Sequence, residues 1–238
     1  MTNTTSILWL ATALTLSAVP AAAQTTKNIF LDVNVGVQAA SRSFVVEAAQ
    51  PVYGETAVTT STQKVGSGVL IDVGGGYRVW RDLSIGLGFA RTSNSADAAV
   101  SAAIPHPVFY DRQATVDTTA DSLGHSETAV YLQAMWTVPV TDKIDASFSV
   151  GPAFIRVAQE LVGGVTVATG TQDAVPAIEE HTDTANGFLV GADLSYLLNP
   201  RYGVGGFVRY IRGEVGIPGV PELTLGGFQV GGGVRLRF

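Results

Sequence analysis

Eight ionisable residues lie in stretches of alternating sequence, and their types and spacing suit a buried network of ion pairs. The set is electrically neutral and consists of Asp32, Asp72, Asp145, Asp193, Arg78, Arg209, Arg235 and Arg237. All eight share the parity of the small and polar residues around them, so extended strands would place them on one face. Buried charges are tolerated when they are paired and hydrogen-bonded. The pattern predicts either a plugged, salt-bridged interior or a narrow polar pathway through the same charges.

The histidines are the other candidates for chemistry, and they are His106, His125 and His181. Because the chain has no cysteine, a zinc site would require all three to converge or a carboxylate to join them. His125 precedes Ser126, but neighbours in an extended strand point to opposite faces and cannot easily form a nucleophile and its base. His125 and Glu127 share a face without an evident nucleophile. We therefore expect no catalytic centre, no metal site and no cofactor.

Strict alternation of apolar with small or polar residues indicates the strands that must position these side chains. It is clearest at the C-terminus, where Val230, Val234 and Phe238 alternate with Gln229 and Arg235. Eight strands are predicted, over residues 31–38, 69–79, 83–90, 127–138, 144–157, 187–198, 203–211 and 224–238. In a bilayer the apolar set must face outward, which leaves the charged set in a polar lumen. Closure would pair the first strand with the last, so Asp32 could meet Arg235 or Arg237, and Asp193 and Arg209 would lie at similar depth on either side of the turn at residues 199–202.

The connections between the predicted strands alternate in length. Three are short, at residues 80–82, 139–143 and 199–202, and four are long, at residues 40–65, 92–126, 158–186 and 212–223. A secreted soluble barrel such as a lipocalin also shows alternating strands, but it gives no reason for only every second loop to be long. The asymmetry favours an all-β fold, an eight-stranded antiparallel up-and-down transmembrane β-barrel with short periplasmic turns and long extracellular loops.

The N-terminus reads as a signal peptide, with an apolar run from Ile7 to Leu16 and a small-residue site before Gln24. We expect residues 1–23 to be cleaved and residues 24–238 to form the barrel. The chain is 46% hydrophobic and only 14% charged, and its net charge of −6 argues against a nucleic-acid partner, which requires clustered Lys and Arg.

Three glycine-rich segments carry a resemblance to a known family. They are Gly74-Gly75-Gly76-Tyr77-Arg78-Val79 leading into Leu83-Ser84-Ile85-Gly86-Leu87-Gly88, Val204-Gly205-Gly206-Phe207-Val208-Arg209-Tyr210, and Val230-Gly231-Gly232-Gly233-Val234-Arg235-Leu236-Arg237-Phe238. The mature chain resembles the small outer-membrane barrels of Gram-negative bacteria, the OmpA/OmpX/OmpW-like group. The resemblance implies an outer-membrane location, contact with outer-membrane lipid and lipopolysaccharide, and recognition of Val234, Leu236 and Phe238 by the barrel-assembly machinery.

The long loops hold two further features. Acidic residues, including Asp97, Glu127, Glu160 and Glu180, lie in the loops or at their edges, either as a solvated surface or as carboxylates that bridge divalent cations to lipopolysaccharide. An apolar, proline-stiffened cluster consists of Pro105, His106, Pro107, Phe109 and Tyr110. This cluster either folds back over the barrel mouth or contacts a ligand, lipid or partner. We expect a structural or loop-mediated role, with a narrow channel and a lipid-modifying enzyme as alternatives.

Overall fold

The computed structural model describes residues 28–171, 173–217 and 220–238. The predicted signal peptide lies outside these residues. No helix in the described part of the chain is long and apolar enough to cross a membrane. The strands are β1 (Ile29–Ala39), β2 (Arg42–Val52), β3 (Glu55–Val65), β4 (Gly68–Trp80), β5 (Leu83–Pro105), β6 (Gln113–Pro139), β7 (Ile144–Val167), β8 (Ala174–Leu197), β9 (Tyr202–Ile217) and β10 (Val220–Arg237).

Eight of these strands close into an antiparallel ring, which confirms the predicted fold. The ring order is β1, β4, β5, β6, β7, β8, β9 and β10, and β10 pairs back to β1. When the paired residues are followed once around the ring, Ile29 leads to Ala39 of its own strand, a stagger of ten residues. Such a stagger tilts the strands by roughly 40°, and eight strands leave an interior just wide enough for side chains.

The outer face of the ring is an apolar belt. On β1 the outward residues run from Ile29 to Val37, which at ~3.3 Å per residue and this tilt span about 20 Å along the barrel axis. Exposed aromatic residues surround the short-turn end of the belt: Tyr77, Trp80, Trp136, Tyr196, Tyr202 and Phe238. Tyr and Trp at that position suit a membrane–water interface.

The predicted loop boundaries are wrong, because most of the expected loop residues form strands. Residues 42–65 form the hairpin β2–β3, β3 pairs with β5, and strands β5 to β8 continue well beyond the ring. The alternation was hidden because alanine and serine occupy both faces: Val100 and Ala102 are buried in a second apolar core, while Ala99 faces out. The name outer hairpins is used below for β2–β3 together with residues 94–124 and 160–180.

Glycines on the inner face make room for large side chains in the narrow ring. Gly88 lies opposite Tyr131 on the neighbouring strand, and a Cβ at Gly88 would overlap the Tyr131 ring. A Cβ at Gly205 would likewise crowd the guanidinium group of Arg235. These glycines explain why the lumen can hold aromatic and arginine side chains at all.

We expect Gly88→Ala to destabilise the folded barrel by about 1–3 kcal/mol, because the added methyl group overpacks against Tyr131. The measurement is the temperature at which the folded form is lost in a heat-modifiable gel shift of detergent-extracted protein. Gly206→Ala is the matched control, since its Cβ would be in ordinary contact with the carbonyl oxygen of Gly231 at 3.5 Å. Equal behaviour of the two variants would contradict the packing role of Gly88.

Candidate functional site

The lower lumen, which is the half of the interior nearer the short turns, contains an ion-pair network centred on Arg235. Its guanidinium group binds the Asp193 carboxylate, lies 3.6 Å from the Asp32 carboxylate and donates to the Asn34 amide oxygen at 2.5 Å. Asp193 therefore meets Arg235 of β10 rather than Arg209 across the β8–β9 turn. Asp32 and Asn34 belong to β1, Asp193 to β8 and Arg235 to β10, so the network connects these three strands.

Asp72 forms the centre of a buried layer across the middle of the barrel. Its carboxylate accepts hydrogen bonds from Arg209 at 2.8 Å, from the Tyr131 hydroxyl at 2.6 Å and from the Asn34 amide at 2.8 Å. The Arg209 guanidinium also lies 4.6 Å from the ring centroid of Tyr131 and 5.1 Å from that of Phe207. Both members of this buried ion pair are thus hydrogen-bonded and packed, as a low-dielectric site requires.

The hydrogen bonds continue upward from Arg209. Its Nε donates to Gln229 at 2.9 Å, Gln229 donates to Gln38 at 2.6 Å, and Gln38 donates to Glu127 at 2.8 Å. The name polar spine is used below for this continuous chain of side chains, which runs from the lower to the upper lumen through Arg235, Asn34, Asp72, Arg209, Gln229, Gln38 and Glu127.

Glu127 was expected among the solvated loop acids, and this is wrong because it is only 4% exposed. Its carboxylate lies 3.0 Å from His125 Nε2 and 3.3 Å from Arg42, and it accepts a hydrogen bond from the Gly226 amide at 2.9 Å. The sequence carried a usable signal, since Glu127 has the same parity as the inward Tyr131. Gln38 and Arg42, which complete this upper network, were not singled out from the sequence.

Arg237 and Arg78 lie at the short-turn end of the lumen. Arg237 binds Asp145 at 2.7 Å. Arg78 lines a cavity of about 40 Å³ together with Asp32, Arg235 and Arg237, and among the described residues it forms no ion pair. A second cavity of about 50 Å³ reaches up to Asp72, Tyr131 and Arg209. Each has room for only a few water molecules.

The upper lumen is less polar than the alternation predicts. Beside the polar spine, a cluster of buried apolar residues fills the space under the outer hairpins, and Val46 of β2 packs into it. Besides Tyr131, which hydrogen-bonds to Asp72, its largest fully buried members are Leu70, Ile155, Leu161, Leu189, Ile211 and Leu225. Apolar side chains therefore fill the part of the interior that the polar spine does not occupy.

The histidines do not assemble a recognisable catalytic or metal centre within the described residues. His125 is buried between Gln159, at 2.5 Å, and Glu127, whereas Ser126 lies on the opposite face of β6. His181 lies 3.6 Å from Glu179 on the exposed part of β8. No group of three or more His, Asp or Glu side chains that could hold a metal ion occurs in the described part of the chain.

The loop cluster lies at the tip of the β5–β6 hairpin. Its members are Pro105, His106, Pro107, Phe109 and Tyr110. The β5–β6 pairing continues up to Pro105, so the tip stands away from the barrel mouth and does not fold back over it. His106 Nδ1 accepts hydrogen bonds from the amides of Val108 and Phe109, which orders the turn. Val108 and Tyr110 are 76% and 73% exposed at its end.

The three residues expected to form an assembly signal lie on the outer face of the last strand. Val234 and Phe238 are exposed, Leu236 is half-buried, and β10 pairs along its length with both β1 and β9. Phe238 also exchanges backbone hydrogen bonds with Ile29, at 2.8 and 3.2 Å. Recognition of these residues by the barrel-assembly machinery stays a prediction.

The chain is similar to several solved structures of outer-membrane proteins. Neisserial surface protein A has a TM-score of 0.50 at 14% identity, over 88% of this chain and 97% of that one. OprG of Pseudomonas aeruginosa has a TM-score of 0.47 at 9% identity, over 89% and 96%. The N-terminal β-barrel domain of OprF from the same organism has a TM-score of 0.44 at 11% identity, over 89% and 98%. The comparison with curated proteins finds no match.

The family assignment comes from the sequence itself. A family model described as the outer membrane protein beta-barrel domain matches residues 9–238, which is nearly the whole chain. The structure agrees with this match, because a transmembrane barrel has a closed ring of strands, an apolar outer belt and a polar interior. The chain therefore belongs to the outer membrane protein β-barrel family and is located in the outer membrane of a Gram-negative bacterium.

Proposed function

We propose that this protein is a closed, non-catalytic barrel that anchors the outer hairpins in the outer membrane and displays them at the cell surface. The observation that carries the proposal is the layer formed by Asp72, Tyr131 and Arg209, which crosses the lumen at the middle of the apolar belt. All three side chains are more than nine-tenths buried and hydrogen-bonded to one another. A solute that passed through would have to break these bonds.

Closure of the lumen is supported on both sides of this layer. Above it, the apolar cluster and the hairpin β2–β3 fill the mouth, and Val46 is only 4% exposed. Below it lie cavities of about 40 and 50 Å³, which are far smaller than the roughly 300–1,000 Å³ of a small-molecule pocket. The alternative, a narrow channel, would require the polar spine and the hairpin to move together.

A display role is supported by the outer hairpins. They are hydrogen-bonded strands on a shared apolar core rather than flexible loops, so they hold the exposed tip at a fixed place. From Phe89, in the upper part of the belt, β5 continues for roughly 50 Å along its own length to Pro105, at ~3.3 Å per residue. A lipid-modifying enzyme has less support, because His125 is enclosed by side chains that offer it no hydroxyl nucleophile.

Arg209→Met tests the layer by leaving the Asp72 carboxylate buried without its cation. We expect a loss of about 3–5 kcal/mol in the free energy of unfolding, measured by urea titration in detergent micelles. Adding Asp72→Asn to this variant should restore part of the loss, because the uncompensated charge is then gone. A single variant as stable as the wild type would contradict the central role of this ion pair.

Planar-bilayer recording tests closure directly. We expect the wild-type protein to give no steady single-channel current, because two filled zones lie in series along the lumen. The control is a large-pore porin in the same bilayers, which verifies that insertion and current are detected. A steady current in the wild type that changes in Asp72→Ala or Arg209→Ala would favour the channel over the closed barrel.

Single cysteines test display, since the natural chain has none. We expect Tyr110→Cys at the hairpin tip to react on intact cells with a bulky, membrane-impermeant polymer maleimide. Ser93→Cys, which is exposed but close to the membrane belt, is the matched control and should react more slowly because the surface glycolipid surrounds it. Equal rates, or no reaction at the tip, would contradict the display role.

A further inference from the structure

Three strands that run from the short turns toward the outer hairpins carry the same short pattern at the outer edge of the apolar belt. In β5, β7 and β9 an outward aromatic residue is followed two positions later by an outward arginine: Phe89 and Arg91, Phe154 and Arg156, Tyr210 and Arg212. Because side chains two apart share a face of a strand, each arginine lies directly above its aromatic partner. The long hairpins are extracellular in this family of barrels, so the arginines lie at the level of the outer-leaflet headgroups.

Two of these arginines form one row. Arg91 pairs with Thr128 of β6, and Thr128 pairs with Arg156 of β7. With strands about 4.8 Å apart, the two arginines are separated by about 10 Å at their backbones. Both are exposed, and among the described residues neither forms an ion pair or a side-chain hydrogen bond. They offer two uncompensated charges directly above an apolar belt.

Arg212 differs from this pair although it has the same position on its strand. Its guanidinium group binds Glu214 through Nε at 3.2 Å and through Nη2 at 2.6 Å. Its charge is therefore neutralised within the protein. Of the three arginines, only Arg91 and Arg156 are therefore unpaired, and both lie on the face formed by β5, β6 and β7.

The wall above Arg91 and Arg156 consists of small side chains and is rich in hydroxyl groups. The next outward row consists of Ser93, Ser126, Ala158 and Thr182, which pair in that order across four strands. Small side chains leave space against the barrel, and the hydroxyl groups can hydrogen-bond to sugars. Acyl chains would pack on Phe89 and Phe154 below.

We propose that Arg91 and Arg156 form a binding site for the phosphorylated sugar headgroup of an outer-leaflet glycolipid. Guanidinium groups bind phosphate in bidentate geometry and suit such a site better than ammonium groups. The two arginines take the phosphates, the hydroxyl row contacts the sugars, and the aromatic residues contact the acyl chains. This inference depends on the orientation of the barrel in the membrane and not on whether the barrel is closed.

Native mass spectrometry of the full-length protein in detergent micelles tests the site, with diphosphoryl lipid A as the probe. We expect Arg91→Gln/Arg156→Gln to lower the bound fraction at least about tenfold, since each arginine near an anionic headgroup contributes to binding. Arg91→Lys/Arg156→Lys, which keeps the charge and loses the bidentate fork, should bind at an intermediate level.

The charge-matched control is Arg112→Gln/Arg212→Gln, because Arg112 lies at the hairpin tip beside Phe109 and Arg212 is already paired. We expect this variant to bind lipid A as the wild type does, and a heat-modifiable gel shift verifies that every variant is folded. The proposal is overturned if the control loses as much lipid A as the Arg91/Arg156 variant. It is also overturned if phosphatidylglycerol binds equally well, or if millimolar inorganic phosphate displaces the lipid.

Discussion

The interior of an eight-stranded barrel is too narrow to hold both side chains and bulk water, so a charge buried in its middle must be neutralised by another side chain. Arg78, which forms no ion pair among the described residues, lies instead at the short-turn end beside a cavity with room for a few water molecules. The polar spine meets this constraint by drawing its partners from distant parts of the chain. Asp72 comes from β4 and Arg209 from β9, and Arg235 of β10 reaches Asp193 of β8. The network can form only when the ring closes, which couples the polar chemistry of the lumen to closure of the barrel.

The same constraint explains the glycines. A large side chain fits most easily into so narrow a ring where a neighbouring residue has no side chain, as Tyr131 does over Gly88 and Arg235 beside Gly205. The outer face is free of this limit because lipid fills the space around it, and there Val, Leu, Ile and Phe predominate. Glycine content is thus a consequence of the inner packing and not a sign of flexible strands.

The eight ring strands and the inward parity of the charged residues could be predicted because the side-chain period of a strand is two. Asp32 with Arg235 could also be predicted, because closure itself pairs the first strand with the last. The other partners could not, because they depend on the ten-residue stagger of the ring, which no local pattern encodes. Asp193 meets Arg235 for this reason, although Arg209 is nearer in sequence. Glu127 was misassigned because its strand was expected to begin there, whereas β6 begins at Gln113 and buries it.

The outer hairpins owe their direction to irregularities in the ladders just beyond the ring. The β5–β6 register shifts between Ala96 and Ala98, where Asp97 accepts a hydrogen bond from the Ser122 amide at 2.9 Å, and Ser122 has a positive φ of 55°. The β7–β8 register shifts similarly between Val162 and Gly164. Bulges bend a strand and increase its local twist. Beyond His125, β6 and β7 no longer pair, so the β5–β6 and β7–β8 hairpins are not joined by backbone hydrogen bonds. The bends bring both hairpins together with β2–β3 around one apolar core, which is thereby kept out of water.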